Sequence, residues 1–139
     1  MRKKLIIALA ATLAAAAAAL PLGRAWALET PKTPKTVTAV VATFDVAGER
    51  FKAKFTKAAD IALARKVLAG KATPVPFPIG KIVYGSPDVN TGYTWHLDSV
   101  AWTESATEVC DGRPRSDVES HELTSPYYCP WGATLIAVK

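Results

Sequence analysis

Four segments in the second half of the chain carry residue types that could do chemistry. The first is Asn90-Thr91-Gly92-Tyr93-Thr94-Trp95-His96-Leu97-Asp98. On a strand, Trp95 and Leu97 share one face and His96 and Asp98 the other. A carboxylate beside an imidazole orients the ring and favours its charged form, which suits general-base work or metal binding. No nucleophile or third group is evident, so a plain hydrogen-bond network is the competing reading. The second segment is Glu108-Val109-Cys110-Asp111-Gly112-Arg113-Pro114. Two neighbouring carboxylates can divide acid and base roles. On an extended chain Glu108 and Asp111 diverge, so Asp111 is expected to close a turn and Arg113 to pair with a carboxylate.

The third segment is Asp117-Val118-Glu119-Ser120-His121-Glu122. On a helix, Asp117 and His121 share a face. That is half of a metal site, without the second His of a zinc-binding helix, and a solvated face is the default. The fourth is Tyr127-Tyr128-Cys129-Pro130-Trp131-Gly132. Aromatics on a loop fixed by Pro and Gly suit recognition of a protein or sugar surface, and suit core packing equally. Trp131 is assigned to the core and Tyr127 to the surface. An enzyme would draw on His96, Asp98, Glu108 and Asp111. A binding surface would draw on Tyr93, Trp95, His96, Arg113, Tyr127 and Tyr128. No metal and no cofactor is expected.

These segments need a scaffold, and the start of the chain is not part of it. Arg2, Lys3 and Lys4 precede an apolar run of 16 residues from Leu5 to Leu20. Pro21 and Gly23 then break any helix, and Ala25-Trp26-Ala27 offers small residues for cleavage. That order reads as a secretory signal over residues 1–27, and the run is shorter than the roughly 20 residues of a membrane span. The chain has 17 basic and 12 acidic residues, a net charge of +5. Cleavage near Ala27 removes Arg2, Lys3, Lys4 and Arg24 and no acid, leaving 13 basic against 12 acidic residues, or +1. The basic balance belongs to the signal and gives no reason to expect nucleic acid. Export also permits a disulfide, and Cys110 and Cys129 have one pairing available.

Residues 28–36 include Thr-Pro-Lys-Thr-Pro-Lys-Thr, an extended tether. One domain, 37–139, should follow. Val37 to Val46 suits a buried strand, and Arg50 to Phe55 alternates polar with apolar, so the two read as a hairpin. Thr56 can cap a helix near 57–69 that buries Ile61, Ala64 and Leu68, with Val67 beside them. Gly70 stops it. Pro74 to Pro78 is a stiff connector. Ile79–Tyr84, Tyr93–Ser99 and Val100–Asp111 read as three extended segments. Ser116-x-x-Glu119 matches a capping box for a short helix near 117–123. Trp131–Val138 closes the domain as a strand. The order ββα-β-β-β-α-β describes an α+β fold with a mostly antiparallel sheet.

Several segments taken together are similar to one known family. They are Tyr93-Thr94-Trp95-His96-Leu97-Asp98, Glu108 to Pro114, Asp117-Val118-Glu119, Tyr128-Cys129-Pro130-Trp131, Ala64 to Gly70 and Ile79 to Val83. They resemble the N-terminal domain of a slime-mould calmodulin-binding protein, a domain that also occurs alone in secreted bacterial proteins. The resemblance spans residues 37–139 and implies the domain type, with no catalytic residues to transfer. Calmodulin is not expected as a partner, since the domain is read as exported and its basic helix lacks large aromatic anchors.

The leading functional expectation is a secreted, monomeric binding module for an extracellular protein or glycan, in its sharpest form an inhibitor of an extracellular hydrolase. The alternative is a small hydrolase or metal-dependent enzyme built on His96. A third is carbohydrate binding through exposed aromatics. After cleavage no membrane contact is expected.

Overall fold

The computed structural model describes residues 36–106 and 109–139. The expected signal, residues 28–35 of the tether and Glu108 lie outside them. Strands β1 (Val40–Val46) and β2 (Glu49–Phe55) form a hairpin in register from Val40↔Phe55 to Val46↔Glu49. Alternation buries Val40, Ala42, Phe44 and Val46 from one strand and Phe51, Ala53 and Phe55 from the other. Ala47 and Gly48 make the two-residue turn with φ of 51° and 87°, the positive values that match strand twist. The Asp45 carboxylate accepts the Gly48 N–H at 3.0 Å and helps hold that turn.

Helix α1 (Ala58–Leu68) follows directly. Its N-cap is Lys57, with no side-chain cap bond, so Thr56 does not play the capping role expected of it. At the other end Gly70 has φ 68°. Its N–H bonds the Val67 carbonyl at 3.0 Å, and the Lys71 N–H bonds that of Lys66 at 2.8 Å. This paired closure satisfies two otherwise orphaned carbonyls, and glycine is the residue that tolerates it. Ile61 and Ala64 are buried and Val67 packs on the core, but Leu68 is 44% exposed. The buried stripe thus runs through Val67 and not Leu68.

Strands β3 (Phe77–Tyr84) and β4 (Trp95–Thr103) pair antiparallel; after them come a short π-type helix, α2 (Pro114–Glu119), and strands β5 (Tyr127–Tyr128) and β6 (Thr134–Val138). The strands form two antiparallel three-stranded sheets, ordered β2-β1-β6 and β4-β3-β5. The fold is α+β and mostly antiparallel, with two small sheets instead of one. The observed order is ββα-ββ-α-ββ. The break expected after Ser99 is a bulge inside one continuous strand: the register shifts opposite Gly80, and Ser99 has φ 53°. Gly80 is required there, because a Cβ would lie 2.9 Å from the Leu97 Cβ and 3.1 Å from the Asp98 carbonyl oxygen. Helix α2 begins three residues earlier than its expected start because Pro114 takes the first helical position, where a missing N–H costs nothing. Trp131 lies outside β6.

The core fills the space between the sheets. Phe44 stacks on Phe51 at 5.2 Å, and Phe51 meets Tyr128 edge-on at 5.3 Å. Trp95 meets Tyr128 edge-on at 5.7 Å, and Phe55 stacks on Trp102 at 5.0 Å. Such pairs each add about 0.5–1.5 kcal/mol beyond area burial. The Trp102 indole N–H donates to the Asp60 carbonyl at 3.0 Å, tying β4 to α1.

At one side of the molecule β2 runs beside β4, although each is the edge of its own sheet. The loop between β3 and β4 bridges them. The Tyr93 hydroxyl donates to the Arg50 carbonyl at 2.8 Å. The fully buried Asn90 accepts the Lys52 N–H at 2.9 Å and donates to the Trp95 carbonyl at 3.0 Å. Its side-chain amide therefore stands between two strand edges much as a peptide group would.

The C-terminal third is held largely by side chains. The Cys110–Cys129 disulfide has a Cα–Cα distance of 5.1 Å, and the Cys129 N–H bonds the Cys110 carbonyl at 2.7 Å. The Tyr128 hydroxyl donates to the Gly112 carbonyl at 2.9 Å. One oxygen of Glu49 accepts the N–H groups of Arg115 at 2.6 Å and Ser116 at 3.2 Å, and the other accepts the Ser116 hydroxyl. The start of α2 is thus capped from β2, not from within. The expected box does not form: Ser116 is turned to Glu49, and Glu119 accepts the Thr94 N–H at 3.0 Å. Burial raises the Glu49 pKa, but the Ser116 and Arg115 hydrogen bonds and the Arg113 charge outweigh it and hold the carboxyl below its ordinary value.

These contacts can be checked by unfolding. Asn90→Ala strands the Lys52 N–H and the Trp95 carbonyl, at about 1–3 kcal/mol for each buried unpaired group. Urea unfolding should show a loss of roughly 2–4 kcal/mol at unchanged m-value. Asn90→Asp should not restore it, because an oxygen then faces the Trp95 carbonyl. Acid tests the Glu49 cap. A depressed carboxylate pKa contributes stability that is present above the unfolded value and lost as pH falls through the folded one. Stability should decline as pH drops below 4.5, the ordinary value for Glu49. Glu49→Gln should be less stable at neutral pH and should lose less on acidification, as read by urea midpoints across that range.

Candidate functional site

His96 and Asp98 project from the same side of β4, opposite to the buried Trp95 and Leu97. They line a cleft of about 320 Å³ together with Lys54, Lys57 and Asp88. The His96 ring is fixed: its Nδ1 lies 2.6 Å from the Ser86 carbonyl oxygen. A carbonyl only accepts, so Nδ1 carries the hydrogen and Nε2 is the acceptor atom of the neutral ring. Lys54 and Asp88 form an ion pair at 2.6 Å on the cleft wall. The Lys54 ammonium holds the Asp88 carboxyl below its ordinary pKa.

Asp111 does not join this group. It lines a separate depression of about 300 Å³ with Arg113, Asp117 and the hairpin tip at Val46 and Ala47. Its Oδ1 accepts the Trp131 N–H at 3.0 Å, so it closes the loop, as a turn-forming Asp does. Asp117 is likewise committed to the backbone, accepting the Arg113 N–H at 2.6 Å. Among the described residues the enzyme set is therefore split: His96 and Asp98 share a cleft, and Asp111 belongs elsewhere. His121 lies beyond the end of α2 at φ 63°, stacked on Tyr84 at 4.2 Å. It shares no helix face with Asp117, and the half metal site does not form. Among the described residues, no three His, Cys, Asp or Glu side chains cluster to hold a metal.

The expected binding residues separate by burial. Trp95 and Tyr128 are wholly buried core residues, and Tyr93 is 9% exposed. None of the three offers a contact surface. Burial pushes the phenols of Tyr93 and Tyr128 above their ordinary pKa. Tyr93 instead supports the Arg115 guanidinium, 4.8 Å above its ring. Arg113 and Tyr127 are exposed, and His96 is half-buried.

The largest departure is Trp131. The sequence reading places it in the core, and it is 55% exposed. Its backbone is pinned by Asp111 and by the neighbouring disulfide, and its ring lies 6.4 Å from Phe77 at a 42° tilt. Phe77, Trp131, Glu104, Ser105 and Ala106 line a depression of about 280 Å³. Close by in sequence, Val75 is 66% exposed. Sequence reasoning reads Phe77 only as part of a Pro-rich connector. The signal available is that Pro130 and Gly132 bracket Trp131 and deny it a place in a strand. The Lys54, Lys57 and Asp88 wall of the His96 cleft is also missed, because those residues lie 39 or more positions from His96 or in a loop that only the fold brings back.

A family model for the N-terminal domain of a calmodulin-binding protein matches residues 37–139. No curated protein and no solved structure matches the chain. The matched stretch takes in both sheets, both helices, the disulfide and the two clefts just described. The chain belongs to the family of that N-terminal domain, the same one that its sequence segments resemble.

Proposed function

We propose that this protein is a secreted binding module that docks an extracellular protein through the ledge formed by Trp131 and Phe77. The observation that carries the reading is a large aromatic side chain held in the open at 55% exposure on a corner fixed by a disulfide. Exposed Trp is uncommon on a free surface and is enriched among the residues that dominate protein interfaces. A fixed corner lowers the ordering cost of association. The 42° tilt between the two rings favours a protein over a sugar, since a flat sugar face is best met by coplanar aromatics. Tyr127, exposed in the same C-terminal segment, adds a second aromatic to the surface near the bridge. Inhibition of an extracellular hydrolase is the sharpest form of this reading. The apolar leader motivates secretion, and the disulfide is compatible with it.

The test is affinity capture from culture supernatant with oxidised protein as bait. Wild type should retain a defined extracellular protein, and Trp131→Ala should weaken its binding by about tenfold or more, the scale of an interface anchor. Bait reduced before use should bind less well too. Equal capture by wild type and Trp131→Ala would remove the ledge as the contact surface.

A further inference from the structure

We infer that the cleft between the edges of β2 and β4 is a binding site for the backbone of a short zwitterionic peptide, apart from the Trp131 ledge. The argument starts from the order of contacts along the gap between the two strands. At its first rung the Tyr93 hydroxyl donates to the Arg50 carbonyl. At the second, the Asn90 amide joins the Lys52 N–H to the Trp95 carbonyl. Both strands run the same way here, so the third rung lies between Lys54 and Leu97. Hydrogen-bonding direction alternates along an antiparallel strand. Arg50 and Lys52 on β2, and Trp95 on β4, turn their backbone groups into the gap; two residues on, Lys54 and Leu97 do the same. That rung opens on the cleft, which Lys54 and Leu97 both line.

The molecule thus already shows how this gap is filled: by an amide that accepts from β2 and donates to β4. A peptide bond at the third rung makes the same pair of bonds, as an added strand does at a sheet edge. The walls define what flanks it. Lys57 supplies a cation beside the β2 edge, and Asp98 an exposed anion on β4. Lys54 and Asp88 neutralise one another at 2.6 Å, so they leave this pair to meet a ligand's carboxylate and ammonium. The Nε2 of His96 adds an acceptor, its ring held by the Ser86 carbonyl. A volume of about 320 Å³ is at the small end of ligand sites, which span roughly 300–1,000 Å³, and suits a di- or tripeptide or a chain end.

Titration of ¹⁵N-labelled full chain with triglycine, followed by amide chemical shifts, tests this. Saturable shifts should centre on Lys54, Leu97 and His96 with a Kd in the range of about 1–10 mM, as expected for so small a ligand. N-acetyl-triglycine amide, which keeps the peptide bonds and lacks both charges, should bind at least about threefold more weakly. Lys57→Ala and Asp98→Asn, both surface changes, should each weaken triglycine by a similar factor. Trp131→Ala should leave it unchanged, which separates this site from the proposed docking ledge. Absence of saturable shifts at the cleft, or triglycine binding that neither Lys57→Ala nor Asp98→Asn alters, would overturn the assignment.

Discussion

Two three-stranded sheets have four open edges between them, and a fold this small cannot leave polar edge groups buried without partners. Where β2 meets β4, the strands are not paired with one another, yet their edge groups are enclosed. Asn90 resolves this with both ends of its amide, joining the Lys52 N–H to the Trp95 carbonyl. No other side chain of its length offers a donor and an acceptor so spaced, Gln being one methylene longer. The aromatic core behind it, with Phe51, Trp95 and Tyr128 in mutual contact, depends on the two sheets being held at that separation.

The C-terminal third obeys a second version of the same constraint. Between β4 and β6 the regular elements among the described residues are a six-residue helix and a two-residue strand. The backbone groups of such a stretch must be satisfied by side chains. Glu49 reaches over from β2 to the start of α2, Asp117 takes the Arg113 N–H, and Asp111 takes that of Trp131. The acidic residues that resembled parts of a catalytic set are, in this sense, structural acceptors. The disulfide joins the beginning and end of the stretch and fixes the corner on which Trp131 stands.

The two candidate surfaces use different physics. The ledge of Trp131 and Phe77 offers apolar area on a rigid support, which suits a large partner. The His96 cleft offers paired charges, one fixed imidazole and unfilled strand edges in a small volume, which suits a small polar ligand. They are built from different elements: the corner after β5 and the start of β3 in one case, the edges of β2 and β4 in the other.

Local pattern determined much of the architecture. The alternation in Arg50–Phe55 set the buried face of β2, Gly70 marked the end of α1, and the single pair of cysteines left one possible bridge. Those features are legible because they arise from neighbours in the chain or from simple counting. The side on which His96 and Asp98 stand was legible for the same reason, since strand alternation is a local rule. Tertiary structure alone decided what surrounds them: Lys54 and Lys57 arrive from β2 and its end, and Asp111 is taken elsewhere by the bridge. It also buried Tyr93, Trp95 and Tyr128 while leaving Trp131 outside. Aromatic composition is the same on either side of that line; burial depends on which sheet faces which, and that is fixed by contacts between residues such as Asn90 and Lys52, 38 positions apart in the chain.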